Sequence, residues 1–240
     1  MFAQVFTFLT NRTSHMENNP VEPVRRILPS SRSIRGQLSS RKTGRPPQYE
    51  SALERDLLVL LDFDSSISFF CEQPVTIEYL HEGVVRHYTP DVLAYYREDL
   101  GVSRSTRPTL YEVKYRDDLR QNWAELKPRF MAALRYADQQ GWRFKLVTER
   151  EIRTDYLANV HFLRQYIGPG MQVRQTDQGL LMSLMGDIRL TTGEELLLMA
   201  SADRAKRAEL LYTLWHLVAV RLIHCDLTIG LTLQTELWIP

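Results

Sequence analysis

HYTPDVLAYY (residues 87–96) and TLYEVKYR (109–116) place Asp91 directly after Pro90 and set Glu112 and Lys114 one residue apart, in segments otherwise suited to a buried sheet. Both runs are rich in β-branched and aromatic residues and read as strands. Successive strand residues point to opposite faces, so Glu112 and Lys114 share one side while Tyr111, Val113 and Tyr115 take the other. If the strand that follows Asp91 pairs alongside, two carboxylates converge, which is unfavourable unless a cation lies between them. Such a pair is an oxygen-only site of the kind Mg²⁺ prefers, with water and a phosphate completing its shell. Lys114 would then help orient an attacking water and offset charge on a pentavalent phosphate.

Working outward, QPVTIEYL (73–80) and VVRHYT (84–89) complete a set of four strands, with HEG (81–83) as a turn and EDLGVSRSTRP (98–108) as a polar loop. Upstream, Leu53, Leu57, Leu58, Leu60 and Leu61 recur at helical spacing and predict a helix over about 50–62. Ser51 is its N-cap, and Glu54, three residues on, is either the acid of a capping box or a metal ligand. Downstream come a helix over 119–141, kinked at Pro128 and closed by Gly141, then a buried strand, WRFKLVT (142–148), and a helix over about 153–166. Gly168-Pro169-Gly170 marks a boundary. Beyond it, LTTGEELLLMA (190–200) and residues 202–223 read as two amphipathic helices, and residues 224–239 alternate around Ile229-Gly230 like a β-hairpin, the outline of a winged helix. The expected architecture is α/β: a basic arm (1–48), a mixed sheet flanked by helices (49–168) and a winged-helix-like α+β domain (169–240).

The composition is that of a globular chain: 240 residues, 44% apolar and 25% charged. Its net charge of +1 conceals an asymmetry. Up to Tyr49, eight basic residues (Arg12, Arg25, Arg26, Arg32, Arg35, Arg41, Lys42, Arg45) face only Glu17 and Glu22, giving +6 and leaving −5 for the rest. That arm has the density to neutralise DNA phosphates, to contact a protein partner, or to remain a solvated tail. Cys71 and Cys225 stand far apart with no Cys/His cluster, which argues against a disulfide framework or structural zinc and for a reducing compartment. MFAQVFTFLT lacks a basic segment before it and a cleavage site after it, and no run approaches 18 apolar residues, so a soluble, cytoplasmic protein without membrane contact is expected.

Pro90-Asp91 followed by Glu112-Val113-Lys114 matches the PD-(D/E)xK signature of restriction-endonuclease-like nucleases. More specific is the series SSRKTGRPPQYESALERDLLVLLDFD (39–64), FFCEQPVTIEY (69–79), YTPDVLAYY (88–96), LYEVKYR (110–116) and WRFKLVTEREI (142–152), which resembles the TnsA endonucleases of heteromeric cut-and-paste transposases over roughly residues 31–165. The resemblance implies cleavage of the 5′ strand at each transposon end in double-stranded DNA, beside a TnsB-type transposase that cuts and joins the 3′ ends and a TnsC-type AAA+ regulator. It implies Glu54, Asp91 and Lys114 as catalytic residues and Glu112 as a metal-proximal one, with Mg²⁺, or Mn²⁺ in its place, on Asp91, Glu112 and Glu54. The family varies at the Glu112 position, some members carrying Gln. Rival readings are a stand-alone restriction or repair nuclease of the same fold and a non-enzymatic DNA-binding assembly module. Gln73 in the EQP run flanks the expected site, and Arg116, Arg120 and Lys127 either line the DNA path or solvate a helix face. Trp215 and the Cys71 thiol are expected in the core, and His87 is expected as an ordinary strand residue.

Overall fold

In a computed structural model that describes residues 21–24, 35–97, 107–168 and 170–239, residues 36–49 form a strap against the body. Two short strands, β1 (Gly36–Gln37) and β2 (Gln48–Tyr49), pair antiparallel, and the segment between them is tied to the body. Ser40 Oγ and the Arg41 N–H donate to Asp62 Oδ1 at 2.7 and 3.1 Å. Lys42 Nζ donates to the carbonyls of Leu61 (2.8 Å) and Asp64. Arg45 Nη1 lies 2.6 Å from the buried Glu72 carboxylate. Lys42 and Arg45 are therefore engaged by the body of the protein, so at these two positions the arm is neither a solvated tail nor free for phosphate. Arg12, Arg25, Arg26 and Arg32 lie outside the described residues.

Next comes α1 (Ala52–Phe63), whose leucine stripe is buried and whose N-terminus is capped by Ser51 Oγ accepting the Glu54 N–H at 3.1 Å. Glu54 does not return to the Ser51 N–H; its Oε2 accepts the Glu50 N–H at 2.8 Å, so the expected reciprocal capping box is half formed. Asp64 Oδ1 then turns the chain by accepting the Ser66 N–H and hydroxyl. That turn leads into β3 (Ile67–Glu72), a strand the sequence reading passed over. The hairpin β4 (Ile77–His81) and β5 (Val84–Tyr88) closes through Glu82 (φ 51°) and Gly83 (φ 76°), both left-handed as a tight two-residue turn between twisted strands requires.

After β6 (Val92–Tyr96) and β7 (Thr109–Val113) the chain enters α2 (Arg116–Gln139). The dihedral break in α2 is at Asn122 (φ −116°, ψ 18°) and not at Pro128, a correction to the expected kink; Asn122 Nδ2 is drawn to Asp118 Oδ1 at 2.7 Å. Gly141 (φ 72°) follows the helix end as expected. β8 (Arg143–Val147) is an edge strand with only Val147 buried, not the buried strand anticipated. The helix expected over 153–166 is α4 (Asp155–Arg164); before it stands α3 (Glu149–Ile152), not anticipated, with a complete capping box of Thr148 and Glu151.

The main sheet runs β3-β6-β7-β8, antiparallel except for the parallel β7–β8 pair, and the hairpin β4–β5 stands outside it. One face carries Phe70, Val92, Ala94, Tyr111 and Val113 against α1, α3 and α4. The other presents Leu93 and Leu110 to Phe130, Ala133 and Ala137 of α2.

The remaining elements are α5 (Gln175–Ile188), β9 (Leu190–Thr192), α6 (Gly193–Ala200), α7 (Arg204–Ala219), β10 (His224–Cys225) and β11 (Glu236–Trp238), with sheet order β10-β11-β9. α5 and β9 were not anticipated, and the C-terminal strands are shorter than the hairpin expected around Ile229-Gly230. Gly193 admits no Cβ easily, because the Leu233 carbonyl oxygen would lie 3.3 Å away. Trp215 is buried, edge-on to Phe162 of α4 at 5.4 Å, and both cysteines are buried and unpaired. No helix among the described residues is long and apolar enough to cross a membrane.

A single core continues from α1 and α4 into α5, α6, α7 and β11. Its polar fastener is the buried Asn159, whose Nδ2 donates to the carbonyls of Leu227 (2.9 Å) and Ile229 (2.6 Å) and whose Oδ1 accepts the Leu231 N–H (3.1 Å). Asn159→Ala strands those backbone groups, and chemical denaturation should show a loss of about 2–3 kcal/mol. An unchanged midpoint would mean that water replaces the amide at no cost.

Candidate active site

The register Val92↔Tyr111 and Leu93↔Leu110 sets Asp91, one residue before β6, opposite Glu112 at the end of β7. Its backbone completes the ladder: the Asp91 N–H donates to Tyr111 O at 3.1 Å and the Gln73 N–H donates to Asp91 O at 2.8 Å. Its side chain turns along the sheet edge, where Oδ2 accepts the Val113 N–H at 2.7 Å. Alternation then puts Leu93, Asp91, Leu110, Glu112 and Lys114 on the α2 face, as the spacing predicted.

Glu112 is 1% exposed, which for a carboxylate demands partners at both oxygens. Oε1 meets Lys114 Nζ at 3.2 Å, and Oε2 accepts the Tyr88 hydroxyl at 2.5 Å. Lys114 is fixed at its other end by its N–H on Val147 O at 3.1 Å, so the parallel β7–β8 pairing aims the side chain. Glu54 reaches the same neighbourhood from the first turn of α1, where its charge is felt by Asp91 and its own charge is eased by Lys114.

Three carboxylates thus share one ammonium, and the titration behaviour follows. Burial, then the charges of Glu112 and Glu54, hold Asp91 well above the ordinary carboxylate range. Burial also raises Glu54, against its hydrogen bonds from the Glu50 and Ser51 region and the pull of Lys114. For Lys114 burial works downward but is outweighed by Glu112 and Asp91, leaving the ammonium firmly protonated. Among the described residues, no three carboxylate, histidine or cysteine side chains close on one point as a finished metal cage. The oxygens still uncommitted among the described residues are Asp91 Oδ1 and Glu54 Oε1.

The sequence reading did not find Tyr88 or Arg129. Tyr88 is the only buried residue of β5, and Arg129 of α2 lies 5.6 Å from its ring centroid. The residues of β5, VVRHY, carry no signal for this, since its two valines are exposed and only the closing tyrosine is buried. Gln73 is buried in a left-handed conformation (φ 46°), bonded through its backbone to Asp91, while its Oε1 has no partner among the described residues. His87 faces Glu78 across the exposed hairpin at 3.6 Å, away from the site. Burial, then the Glu72 charge, pushes the Cys71 thiol up to about 12, which makes it inert at neutral pH. Arg116 and Arg120, with Arg150 and Trp123, line an open cavity of about 550 Å³ just beyond the strand ends that carry Lys114; Lys127 is exposed and not part of its wall.

Two family models match the chain: TnsA-like endonuclease N terminal over residues 64–149 and TnsA endonuclease C terminal over residues 151–227. The first holds Asp91, Glu112 and Lys114; Glu54 and the strap precede it. No curated protein matches the chain.

Because Asp91 and Glu54 bind protons more tightly in the folded chain than in the unfolded one, their contribution to stability is full at low pH and is lost as pH rises through their folded values. Asp91→Asn keeps an acceptor for the Val113 N–H and removes one charge. In the presence of a chelator it should unfold a few degrees above the wild type at pH 7. The gap should close as pH falls to about 4, the unperturbed carboxylate range. A lower melting temperature at pH 7 would show that the carboxylates do not repel.

Proposed function

This chain belongs to the TnsA endonuclease family, and on that premise we propose that it is a Mg²⁺-dependent DNA endonuclease that hydrolyses the 5′ strand at each transposon end. It acts with a TnsB-type transposase, which cuts and joins the 3′ ends, and with a TnsC-type AAA+ regulator. The single observation that carries this reading is the excess of buried carboxylate around one protonated lysine at the end of a mixed sheet. An arrangement so unfavourable on its own is explained if a divalent cation and a phosphate complete it.

The donors fit such an ion, since all are hard carboxylate oxygens. Asp91 and Glu54, each with one uncommitted oxygen, would hold it, and Glu112, already engaged at both oxygens, would stand beside it rather than in its shell. When bound, Mg²⁺ or Mn²⁺ supplies Lewis-acid polarisation of the phosphodiester and neutralises its charge. Lys114 orients the attacking water and offsets the negative charge that builds on phosphorus. Glu112 fixes where that ammonium lies. The cavity walled by Arg116, Arg120 and Arg150 supports a DNA backbone path that leaves the centre past Lys114. The order α5, β9, α6, α7, β10, β11 with sheet β10-β11-β9 supports reading residues 169–240 as a winged-helix-like unit.

End-labelled transposon-end duplex, TnsB-type partner and Mg²⁺ provide the test. Asp91→Ala and Lys114→Ala should each lower 5′-strand cleavage by at least about a hundredfold while 3′ cutting by the partner persists. Full 5′ cutting by either variant would overturn the reading. Glu112→Gln should cost less, about ten- to a hundredfold, because it acts on Lys114 and not on the ion. Equal loss in Glu112→Gln and Asp91→Ala would return Glu112 to the metal shell.

A further inference from the structure

Tyr88 is 7% exposed and could be replaced, for packing alone, by phenylalanine. Its ring meets Phe130 edge-on at 6.4 Å, and the Arg129 guanidinium lies 5.6 Å from its centroid. Arg129 also sits 5.5 Å from the Phe130 ring, and its Nε is buried without a hydrogen-bond partner among the described residues. An arginine spent on two aromatic faces at the cost of an unpaired buried donor is a local loss, and such losses in native folds call for a reason. The reason is at the far end of the ring, where the hydroxyl meets Glu112 Oε2 at 2.5 Å.

Burial and the Glu112 charge keep that hydroxyl fully protonated, so it can only donate to the carboxylate. With Oε2 taken, the other oxygen of Glu112 is turned to Lys114. Arg129 clamps the ring, the ring delivers the hydroxyl, the hydroxyl sets the rotamer of Glu112, and Glu112 sets the ammonium. Packing beside Ile77 and Phe130 accounts for the buried ring, but it does not require the hydroxyl that meets Glu112.

We propose that Tyr88, clamped by Arg129, is a positioning residue for the cleavage reaction, acting on Lys114 solely through Glu112. The inference rests on the nuclease reading given above and goes beyond it by assigning a role to a side chain whose polar contact is with Glu112.

The experiment is a double-mutant cycle on the full chain, with the same transposon-end duplex, TnsB-type partner and Mg²⁺. Tyr88→Phe retains the ring and its stack and deletes only the hydroxyl. It should lower kcat for 5′ cleavage about ten- to a hundredfold with little change in KM for DNA. In a Glu112→Gln background the same substitution should have at most a twofold or threefold effect, because the route it acts through is already cut. Full wild-type kcat in Tyr88→Phe, or losses that multiply across the two sites, would overturn the proposal. Thermal unfolding of Tyr88→Phe, followed alongside, separates a folding defect from a positioning one, and a rise in KM alone would also count against it. Asp91→Ala serves as the control: if it still cleaves, the nuclease reading has failed, whereas a silent Tyr88→Phe beside a dead Asp91→Ala defeats only the positioning role.

Discussion

The candidate site depends first on one strand register. Val92 opposite Tyr111 forces Asp91 opposite Glu112, and a slip of one residue would send Glu112 and Lys114 to the α1 face of the sheet, among Val92, Tyr111 and Phe70. The repulsion this creates is tolerated because each acid is met by something: the Val113 N–H for Asp91, the Glu50 N–H for Glu54, and Tyr88 with Lys114 for Glu112. Strand alternation places the groups, and only these local partners make the placement bearable.

The scaffold answers that strain with rigidity elsewhere. Asp62 gathers Ser40, Arg41 and Arg164, so the strap, α1 and α4 are joined at one carboxylate. Asp56, buried on α1, accepts Arg153 at the end of α3 and so ties those two helices. Lys42 meets the carbonyls at the C-terminus of α1, the end where a cation is favoured. α1, which delivers Glu54, is thereby held along its length by charged contacts as well as by its buried leucines.

Much of this was legible in the residues. Leucine spacing with Ser51 gave α1, the HEG turn gave the hairpin, Gly141 gave the end of α2, and the spacing of Glu112 and Lys114 gave the face they share. What escaped did so for physical reasons. ISFFCE lacks a clean alternation because a bulge between Ile67 and Phe69 breaks its register, so β3 read as a connection. α5 carries Gly179 and Gly186 and shows little amphipathic contrast, and the three residues of β9 are too few to show a period. The arm looked free because charge density says nothing about which carbonyl or carboxylate a lysine or arginine will meet after folding. In the site itself, Asp91, Glu112 and Lys114 announced themselves by type and spacing, whereas Tyr88 and Arg129 matter through packing across elements, which no local pattern encodes.

The strap has a consequence in time. Ser39 is gripped by Arg164, 125 positions later in the chain, and Glu72 closes on Arg45 across 27. The end of the molecule fastens in the same manner, with Asn159 waiting for Leu227, Ile229 and Leu231. Contacts that close such long loops come late in folding. During synthesis the strap meets its partners in α1 and β3 within 19 to 27 positions, whereas Arg164 reaches Ser39 and Asp62 only once α4 has emerged. The strap that steadies α1 is therefore fastened in two stages, first to α1 and Glu72 and later to α4.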